Sequence, residues 1–474
     1  MAEYSPMMQH YIATKEQYKD CILFYRLGDF YEMFFDDAIT ASRELELTLT
    51  GKDCGQEERA PMCGIPFHAA EVYISRLIAK GYKVAICEQL EDAKQSKGIV
   101  KRDVIRVVTP GTVIESNMLD EKKNNYIMSL YKNGLYFGIS VCDISTGDFF
   151  STQIKQSNNF AKLIDEISRY SPAEIVVNDM MFASTEETNK IRERFECYIS
   201  RLENKEFEDE YKNLSQIYNI YCEGKRIEDV EEKVLAVISA NGLLKYLQDT
   251  QKIKLEHINK INIYNVEKYM SIDLNTRRNL ELTEKMRDKS KKGTLLWVLD
   301  KTSTSMGGRM LRRWINDPLI DVNEINTRLD AVKELKDSSM LKGEIVDSLK
   351  KVYDIERLIG KISYGNANGR DLISLKNSIL QIPDLKKILG KTNSNMLQNL
   401  YNDLDELRDI YSLIEQSIVE EPPISVKEGG LIKLGYNGEI DGYKTATTDG
   451  KKWIVELEVK EKELTRNQKL KSRI

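Results

Sequence analysis

The chain has 474 residues, of which 41% are hydrophobic, 31% are charged and nine are proline, and its formal net charge is −5. This length suffices for about three or four domains with buried cores, and the composition excludes disordered, collagen-like and mucin-like classes. No uncharged apolar stretch approaches the ~18 residues of a membrane span, and residues 1–10 lack the basic and then apolar pattern of a secretory signal. These features predict a cytoplasmic protein with no membrane partner. They leave nucleic acid open as a partner, because a near-neutral total can hide a basic face.

Residues that carry catalysis or bind metals are sparse or scattered. The seven cysteines include no C-x-x-C pair, and the three histidines are far apart, so we expect free thiols and neither a His-rich metal centre nor a Ser–His–Asp triad. Gly390-Lys391-Thr392 is the fragment nearest to a phosphate-binding loop, but Leu385 stands where the loop needs its first glycine. The sequence therefore predicts no catalytic residue, metal or cofactor in this chain.

Residues 1–112 alternate between strand and helix patterns. The apolar run Cys21 to Tyr25 predicts a buried strand that ends at Gly28-Asp29. The next residues, Tyr31 to Ala38, have apolar side chains at helical spacing and predict a helix. A second helix and two further strands are predicted over 69–80, 82–87 and 104–108. Pro110-Gly111 then predicts the turn at a domain boundary.

Residues from about 122 to 177 predict a second α/β unit. Three strands over 126–130, 135–142 and 148–153 form a meander with a hairpin turn at Asn133-Gly134, followed by a helix over 160–170 and a strand over 174–177. Four carboxylates, Asp143, Asp148, Asp165 and Glu166, leave a metal-dependent nuclease as one hypothesis. We interpret them as solvated carboxylates, because no two of them can be placed on a common face.

Amphipathic helix patterns dominate after residue 228. Helices are predicted over 234–248, 325–358 and 372–418, the last one interrupted at Pro383. Residues 276–313 hold 11 Lys and Arg against four Asp and Glu, and residues 450–474 hold eight against four. The final pattern reaches Ile474 with no capping residue, so we expect the chain to stop inside a helix.

A pentapeptide within residues 1–112 resembles a known family motif. Gly28-Asp29-Phe30-Tyr31-Glu32 is similar to the G-x-F-Y-E motif of the MutS family of DNA mismatch recognition proteins. Further segments resemble that family in the same order along the whole chain: Pro61-Met62-Cys63-Gly64-Ile65-Pro66, Ile86-Cys87-Glu88-Gln89, Val108-Thr109-Pro110-Gly111-Thr112, Asp143-Ile144-Ser145-Thr146-Gly147, Thr276-Arg277-Arg278-Asn279-Leu280-Glu281-Leu282 and Met306-Gly307-Gly308-Arg309-Met310-Leu311.

This resemblance implies a multidomain protein with four parts. They are a mixed α/β mismatch-binding domain, an RNase H-like α/β connector, an all-α core and lever, and the truncated start of a DNA-embracing clamp, expected over 1–115, 120–250, 251–424 and 425–474. The family's ATP-hydrolysing domain is expected to be absent, so this chain is not expected to be an enzyme, and ATP and Mg²⁺ are expected only for that domain. Full-length relatives are implied to be homodimeric ATPases with a MutL-type partner, in the bacterial cytoplasm at the nucleoid.

The resemblance also implies how DNA is recognised. Phe30 is the wedge that enters the minor groove of double-stranded DNA at a mismatched or unpaired base, in a kinked duplex. A defect is easier to unstack and to kink than a paired step, so the wedge selects deformability. Glu32 is implied to contact the displaced base, and it must itself carry a proton if it bonds an acceptor atom.

Contacts with the DNA backbone must come from other side chains. The candidates are Lys52, Lys97, Arg102 and Lys469, each of which is also consistent with a solvated surface residue. An interaction scaffold with no DNA specificity of its own remains the alternative function.

Overall fold

The computed structural model describes residues 4–91, 100–155, 159–222, 224–227 and 231–465. The chain divides into two compact units. The first contains residues up to Asp337 together with Asp354–Asn366, and the second contains Ser338–Tyr353 together with residues from Ala367 onward. Both α/β regions predicted from the sequence belong to the first unit.

The first α/β region is a six-stranded sheet with helices on both faces. Its strands have the order β3-β4-β2-β1-β5-β6, and β1 with β5 is its parallel pair. Its elements are α1 (Pro6–Gln17), β1 (Cys21–Leu27), β2 (Phe30–Phe34), α2 (Phe35–Leu45), β3 (Thr50–Lys52), β4 (Ala60–Pro66), α3 (Ala70–Ala79), β5 (Lys83–Gln89) and β6 (Arg102–Val108).

The helix predicted to begin at Tyr31 is wrong at its first turn. Residues Phe30–Phe34 form β2, which pairs antiparallel with β1 through a turn in which Gly28 has φ +59°, and α2 begins only at Phe35. The spacing misleads because both faces of β2 are covered where Tyr31 and Phe34 lie, so apolar residues do not alternate cleanly. The predicted strand at Cys21, the helix over 69–80 and the two later strands are confirmed.

The second α/β region is an eight-stranded sheet of order β11-β10-β7-β8-β9-β14-β12-β13. The predicted meander is confirmed as β7–β8–β9, and Gly134 takes φ +60° in its first turn. The elements are β7 (Ile127–Asn133), β8 (Tyr136–Asp143), β9 (Asp148–Ile154), α4 (Asn159–Tyr170), β10 (Glu174–Val177), α5 (Asp179–Ala183), α6 (Thr185–Arg194), β11 (Tyr198–Arg201), α7 (Asn204–Glu208), α8 (Leu214–Ile217), β12 (Asn219–Cys222), β13 (Lys225–Arg226), α9 (Val234–Gln251) and β14 (Lys260–Ile263).

This sheet continues past the boundary predicted at residue 250. Strand β14 pairs in parallel with β9 and β12, so the α/β region extends to Ile263. Helix α9 is buried along most of its length against β8 and neighbouring strands. Gly138 permits this approach, because a Cβ there would lie 2.0 Å from the Leu235 carbonyl oxygen.

Most of the remaining described chain is helical, as the amphipathic pattern predicts, but the helix predicted over 325–358 is divided among three helices. The helices are α10 (Leu274–Asn279), α11 (Leu295–Leu299), α12 (Ser305–Asn316), α13 (Val322–Asp337), α14 (Ser339–Leu349), α15 (Ile355–Ser363), α16 (Gly369–Ile379), α17 (Ile382–Leu389), α18 (Asn395–Asp403), α19 (Arg408–Ser417) and α20 (Gly438–Thr465). Pro383 lies in the first turn of α17 and so begins that helix, because proline is tolerated there. Within the described ranges, no helix combines the length and apolar character that a membrane crossing needs.

Candidate nucleic-acid interface

Three of the predicted site residues lie on one face of the first sheet. Phe30 and Glu32 share a face because side chains two apart on a strand point the same way. The same face continues across β4 to β3. Phe34 and Thr50 both pair with Met62 of β4, and paired residues on neighbouring strands point to the same side. Lys52 lies two residues beyond Thr50 and therefore shares this face with Phe30 and Glu32. Helix α1 covers this face at Phe34 but not at Phe30.

Phe30 is exposed where its strand neighbours are buried. Its exposed fraction is 47%, against 6% for Tyr31, whose ring lies in the core on the opposite face. Phe30 directly follows the Gly28-Asp29 turn, so the ring projects from the tip of a hairpin and not from the junction of a strand with a helix, as the sequence pattern predicted. This position leaves the ring free to contact a large partner.

The hairpin tip is held by contacts that the sequence pattern did not reveal. Arg26 Nε donates to the Gly28 carbonyl at 2.5 Å, and the Phe67 amide donates to the Asp29 carbonyl at 2.9 Å. The Arg26 guanidinium also lies 3.7 Å from the centroid of the Phe67 ring, a cation–π geometry. Because Arg26 and Phe67 are 41 positions apart, no local motif identifies the pair, although the exposed Phe67 after a strand is a weak signal.

A carboxylate network supports the strand behind Phe30. Arg26 forms an ion pair with Glu88 at 3.3 Å, and the Tyr31 hydroxyl donates to the same carboxylate. Burial raises the pKa of Tyr31, and the hydrogen bond to Glu88 raises it further. The phenol therefore stays protonated at neutral pH and links β2 to β5.

The structure brings Glu32 and Lys52 together. Lys52 Nζ forms an ion pair with the Glu32 carboxylate, and it also lies 5.7 Å from the centroid of the Phe34 ring. Both side chains are partly buried, with exposed fractions of 17% for Glu32 and 32% for Lys52. The pair places one negative and one positive group next to Phe30, so the face is electrically balanced around an apolar tip.

The other candidate backbone contacts do not join this face. Arg102 is buried, and its guanidinium donates to the carbonyls of Arg26 and Val100, each at 2.9 Å, and lies 5.3 Å from the Tyr25 ring centroid. We therefore correct its assignment, because this side chain fastens β6 and is not presented to a phosphate. Lys97 and Lys469 lie outside the described residues.

Two of the four carboxylates predicted to be solvated, Asp143 and Glu166, are buried, whereas Asp148 and Asp165 are partly exposed. Asp143 is fully buried and accepts hydrogen bonds from Asn124, at 2.7 Å, and from the Ser145 amide and hydroxyl, at 2.9 and 2.7 Å. Glu166 is buried beside Arg169 and accepts from the Tyr264 hydroxyl; burial raises the pKa of Glu166, although Arg169 opposes that effect. Among the described residues, no group of three or more His, Cys, Asp or Glu side chains could hold a metal ion.

The sequence matches three MutS family models that follow one another along the chain. They are MutS domain I at residues 5–117, MutS domain II at residues 125–259 and MutS domain III at residues 275–472. The chain belongs to the MutS family. The three matches agree with the two α/β regions and the helical region of the structure, which confirms the fold class that the resemblance implied.

Proteins of the MutS family are similar to this chain over nearly its whole length. The DNA mismatch repair protein MutS of Acetivibrio thermocellus and that of Ruminiclostridium cellulolyticum are each 56% identical over 471 residues, which cover 99% of this chain and 54% of each relative. The DNA mismatch repair protein MutS of Clostridium tetani is 51% identical over 469 residues, 98% of this chain and 52% of that relative. The chain thus spans about half the length of these curated relatives.

Proposed function

We propose that this chain recognises mismatched or unpaired bases in double-stranded DNA, as the first step of DNA mismatch repair. The observation that carries the proposal is the exposed Phe30 ring at the tip of a fixed hairpin, with Glu32 and Lys52 on the same face. The name of the similar MutS proteins supports the same function.

Phe30 acts as a wedge that enters the base stack from the minor groove. Inserting an apolar side chain costs a few kcal/mol of unstacking per step, and this cost is lowest where a base is mismatched or unpaired. The contacts of Arg26 and Phe67 with the turn support such a role, because a fixed tip loses little conformational entropy when it inserts. The wedge therefore distinguishes defects by the ease of deforming the duplex.

Glu32 and Lys52 make different polar contacts with DNA next to Phe30. A carboxylate alone would be repelled by the DNA backbone, and Lys52 offsets that charge in the free protein. When DNA binds, Glu32 turns to the displaced base, and the Lys52 ammonium is within reach of a phosphate. The ion pair thus reduces the electrostatic repulsion between Glu32 and the DNA phosphates as the duplex approaches.

The proposal extends to the longer proteins that this chain resembles. In that setting the recognition domains act within a homodimer, with ATP and Mg²⁺ bound by a domain outside this chain and a MutL-type protein as the next partner. The site of action is the bacterial nucleoid in the cytoplasm. This chain contributes recognition of the defect and no catalysis.

Fluorescence anisotropy with three labelled duplexes tests the proposal: one fully matched, one with a single G·T pair and one with a single unpaired base. We expect the two defective duplexes to bind at least about tenfold more tightly than the matched one, since ~1.4 kcal/mol of saved deformation energy gives that ratio. Equal affinity for all three duplexes would contradict recognition. Absence of any binding would instead favour the interaction scaffold, and cleavage of any duplex with Mg²⁺ would favour the nuclease.

A further inference from the structure

A polar cavity of about 610 Å³ lies within the first unit, away from the face that carries Phe30. It opens where α4 and the end of α6 meet α10 and α12, with the segment 282–289 along one side. Its walls contain 11 Lys and Arg side chains and only four Asp and Glu side chains. Nothing in the recognition of a mismatch requires such a concentration of positive charge here.

The acids in the wall do not neutralise this charge. Three of the four are already shared with cations of the same wall: Asp317 pairs with Arg169 at 2.6 Å, Glu196 with Lys289 at 2.5 Å, and Glu284 with Lys123 at 3.0 Å and with Arg312 at 3.5 Å. Acids outside the wall pair with two further cations, since Arg309 contacts Asp354 and Glu356 and Arg313 contacts Asp148. The cations that remain without an ion pair leave a surplus of positive charge around the cavity, which an anion would offset.

Several of the cations are available to a ligand. Within the described ranges, Arg192, Arg194, Arg278 and Lys285 form no ion pair within 4.0 Å. In addition, the Nε of Arg312 is buried and has no hydrogen-bond partner among the described residues. A buried donor of this kind is costly unless something accepts from it, and so it points to an acceptor that occupies the cavity.

The electrostatics of the wall agree with this interpretation. The pKa of Arg277 lies below its ordinary value, mainly because of burial and further because of Arg169, although Asp317 acts in the opposite direction. Arg277 donates its hydrogen bonds to Ile272 and Asn316. It therefore adds positive electrostatic potential to the cavity but offers a ligand no free donor. The wall therefore favours an anion even where a guanidinium is already engaged.

We propose that this cavity binds a small ligand that carries two or more linked phosphate groups. Guanidinium groups match phosphate oxygens as bidentate donors, and several of them around one pocket suit a ligand with several charges. The volume lies within the usual range of about 300–1,000 Å³ for small-molecule sites. A DNA duplex, with a major groove alone about 12 Å wide, is too large to enter such a cavity.

Isothermal titration calorimetry of the 474-residue chain with inorganic tripolyphosphate tests the proposal. We expect saturable binding with a stoichiometry of one, weakened about tenfold in Arg278→Gln and in Arg194→Gln, which is the effect of losing one charge-assisted hydrogen bond. Both side chains are exposed and form no ion pair with any described residue, so these variants should fold normally. The matched control is Lys342→Gln, an exposed residue of the second unit, which should bind like the parent chain.

Thermal unfolding gives a second measurement, which tests Arg312 with its buried Nε. Tripolyphosphate should raise the midpoint of the parent chain, as any ligand specific for the folded state does, and raise it less in Arg312→Gln, whatever the midpoint of that variant without ligand. Binding that is unchanged in all three arginine variants would overturn the proposal. Displacement of tripolyphosphate by a matched duplex would also overturn it, because the DNA backbone and not a small ligand would then be the occupant.

Discussion

Glu32 and Lys52, 20 residues apart in the sequence, form an ion pair on the face of the first sheet that carries Phe30. Sequence reasoning assigned them separate roles, one toward the base and one toward the backbone. The carboxylate thus lies against a cation in the structure. Under the proposed function, both groups change partners when DNA binds.

A double-mutant cycle measures this coupling directly. Glu32→Gln and Lys52→Met should each destabilise the chain slightly, and the double variant should be less destabilised than the sum, with a coupling of about 0.5–1 kcal/mol for a partly exposed pair. The free energy of unfolding by urea gives the values. Strict additivity would show that the two charges do not interact in solution.

The pH dependence of mismatch binding tests the change of partners at Glu32. If Glu32 bonds an acceptor atom of the base, its carboxyl group must carry a proton in the complex. The preference for a G·T duplex should then fall as the pH rises. In Glu32→Gln the preference should be constant, since the amide always carries donors; a constant preference in the parent chain would rule out a titrating role.

Asp300 should make stability depend on pH in the acid range. Its buried carboxylate accepts from Thr302, at 2.6 Å, and from Lys122 and Lys291. Burial by itself would raise the pKa of Asp300, but the hydrogen bonds from Lys291, Thr302 and Lys122 outweigh it and hold the pKa well below its usual value. A depressed pKa stabilises the fold above about pH 4, the unfolded value, and this contribution is lost as the pH falls toward the folded value.

Asp300→Asn should therefore cost about 1–3 kcal/mol of unfolding free energy near neutral pH, and the difference from the parent chain should shrink below about pH 4. Asp347→Asn is the matched control, because Asp347 is exposed and, among the described residues, pairs only with Lys350, which directly follows its helix. Urea unfolding at several pH values gives the comparison. A difference that grows in acid would contradict the assigned role of the carboxylate.

Replacing two glycines by alanine should change the stability in opposite directions, because one added methyl group collides with the backbone and the other has free space. Gly138→Ala should destabilise by about 1–3 kcal/mol or more, because the new methyl group collides with the α9 backbone at Leu235. Gly343→Ala lies in α14 with no atom within 4 Å of the added Cβ, and it should stabilise by about 0.5–1 kcal/mol. Thermal unfolding of both variants checks the signs, and a Gly138→Ala variant as stable as the parent chain would contradict the close packing of α9 on β8.

Local sequence signals predicted much of this fold, because they rest on short-range physics. The Asn133-Gly134 turn and the strand Glu174–Val177 are confirmed. Local sequence patterns predicted the wrong element or boundary where contacts between distant residues determine the structure. Tyr31 and Phe34 have helical spacing yet lie in a strand covered on both faces. Strand β14 joins its sheet through β12 and β9, and no local pattern links these strands, because Lys260 pairs with Asn219 and Asn262 pairs with Phe150.

The candidate site was predictable in its residues but not in its contacts. Phe30 and Glu32 follow from the resemblance of five consecutive residues to a family motif, and Lys52 from its charge. The ion pair of Lys52, the burial of Arg102 and the cation–π contact of Arg26 with Phe67 depend on strand order and register. No local pattern carries that information, since each contact joins residues from different strands or loops.

The affinity ratio between G·T and matched duplexes measures whether the Phe30 ring provides the preference for defective DNA. Phe30→Ala should reduce that ratio to about one, while Phe182→Ala, which removes an exposed ring from the second α/β region, should leave it unchanged. Both variants should keep the unfolding midpoint of the parent chain, because neither ring is in a core. A Phe30→Ala variant that retained the full mismatch preference would show that the Phe30 ring is not the source of that preference.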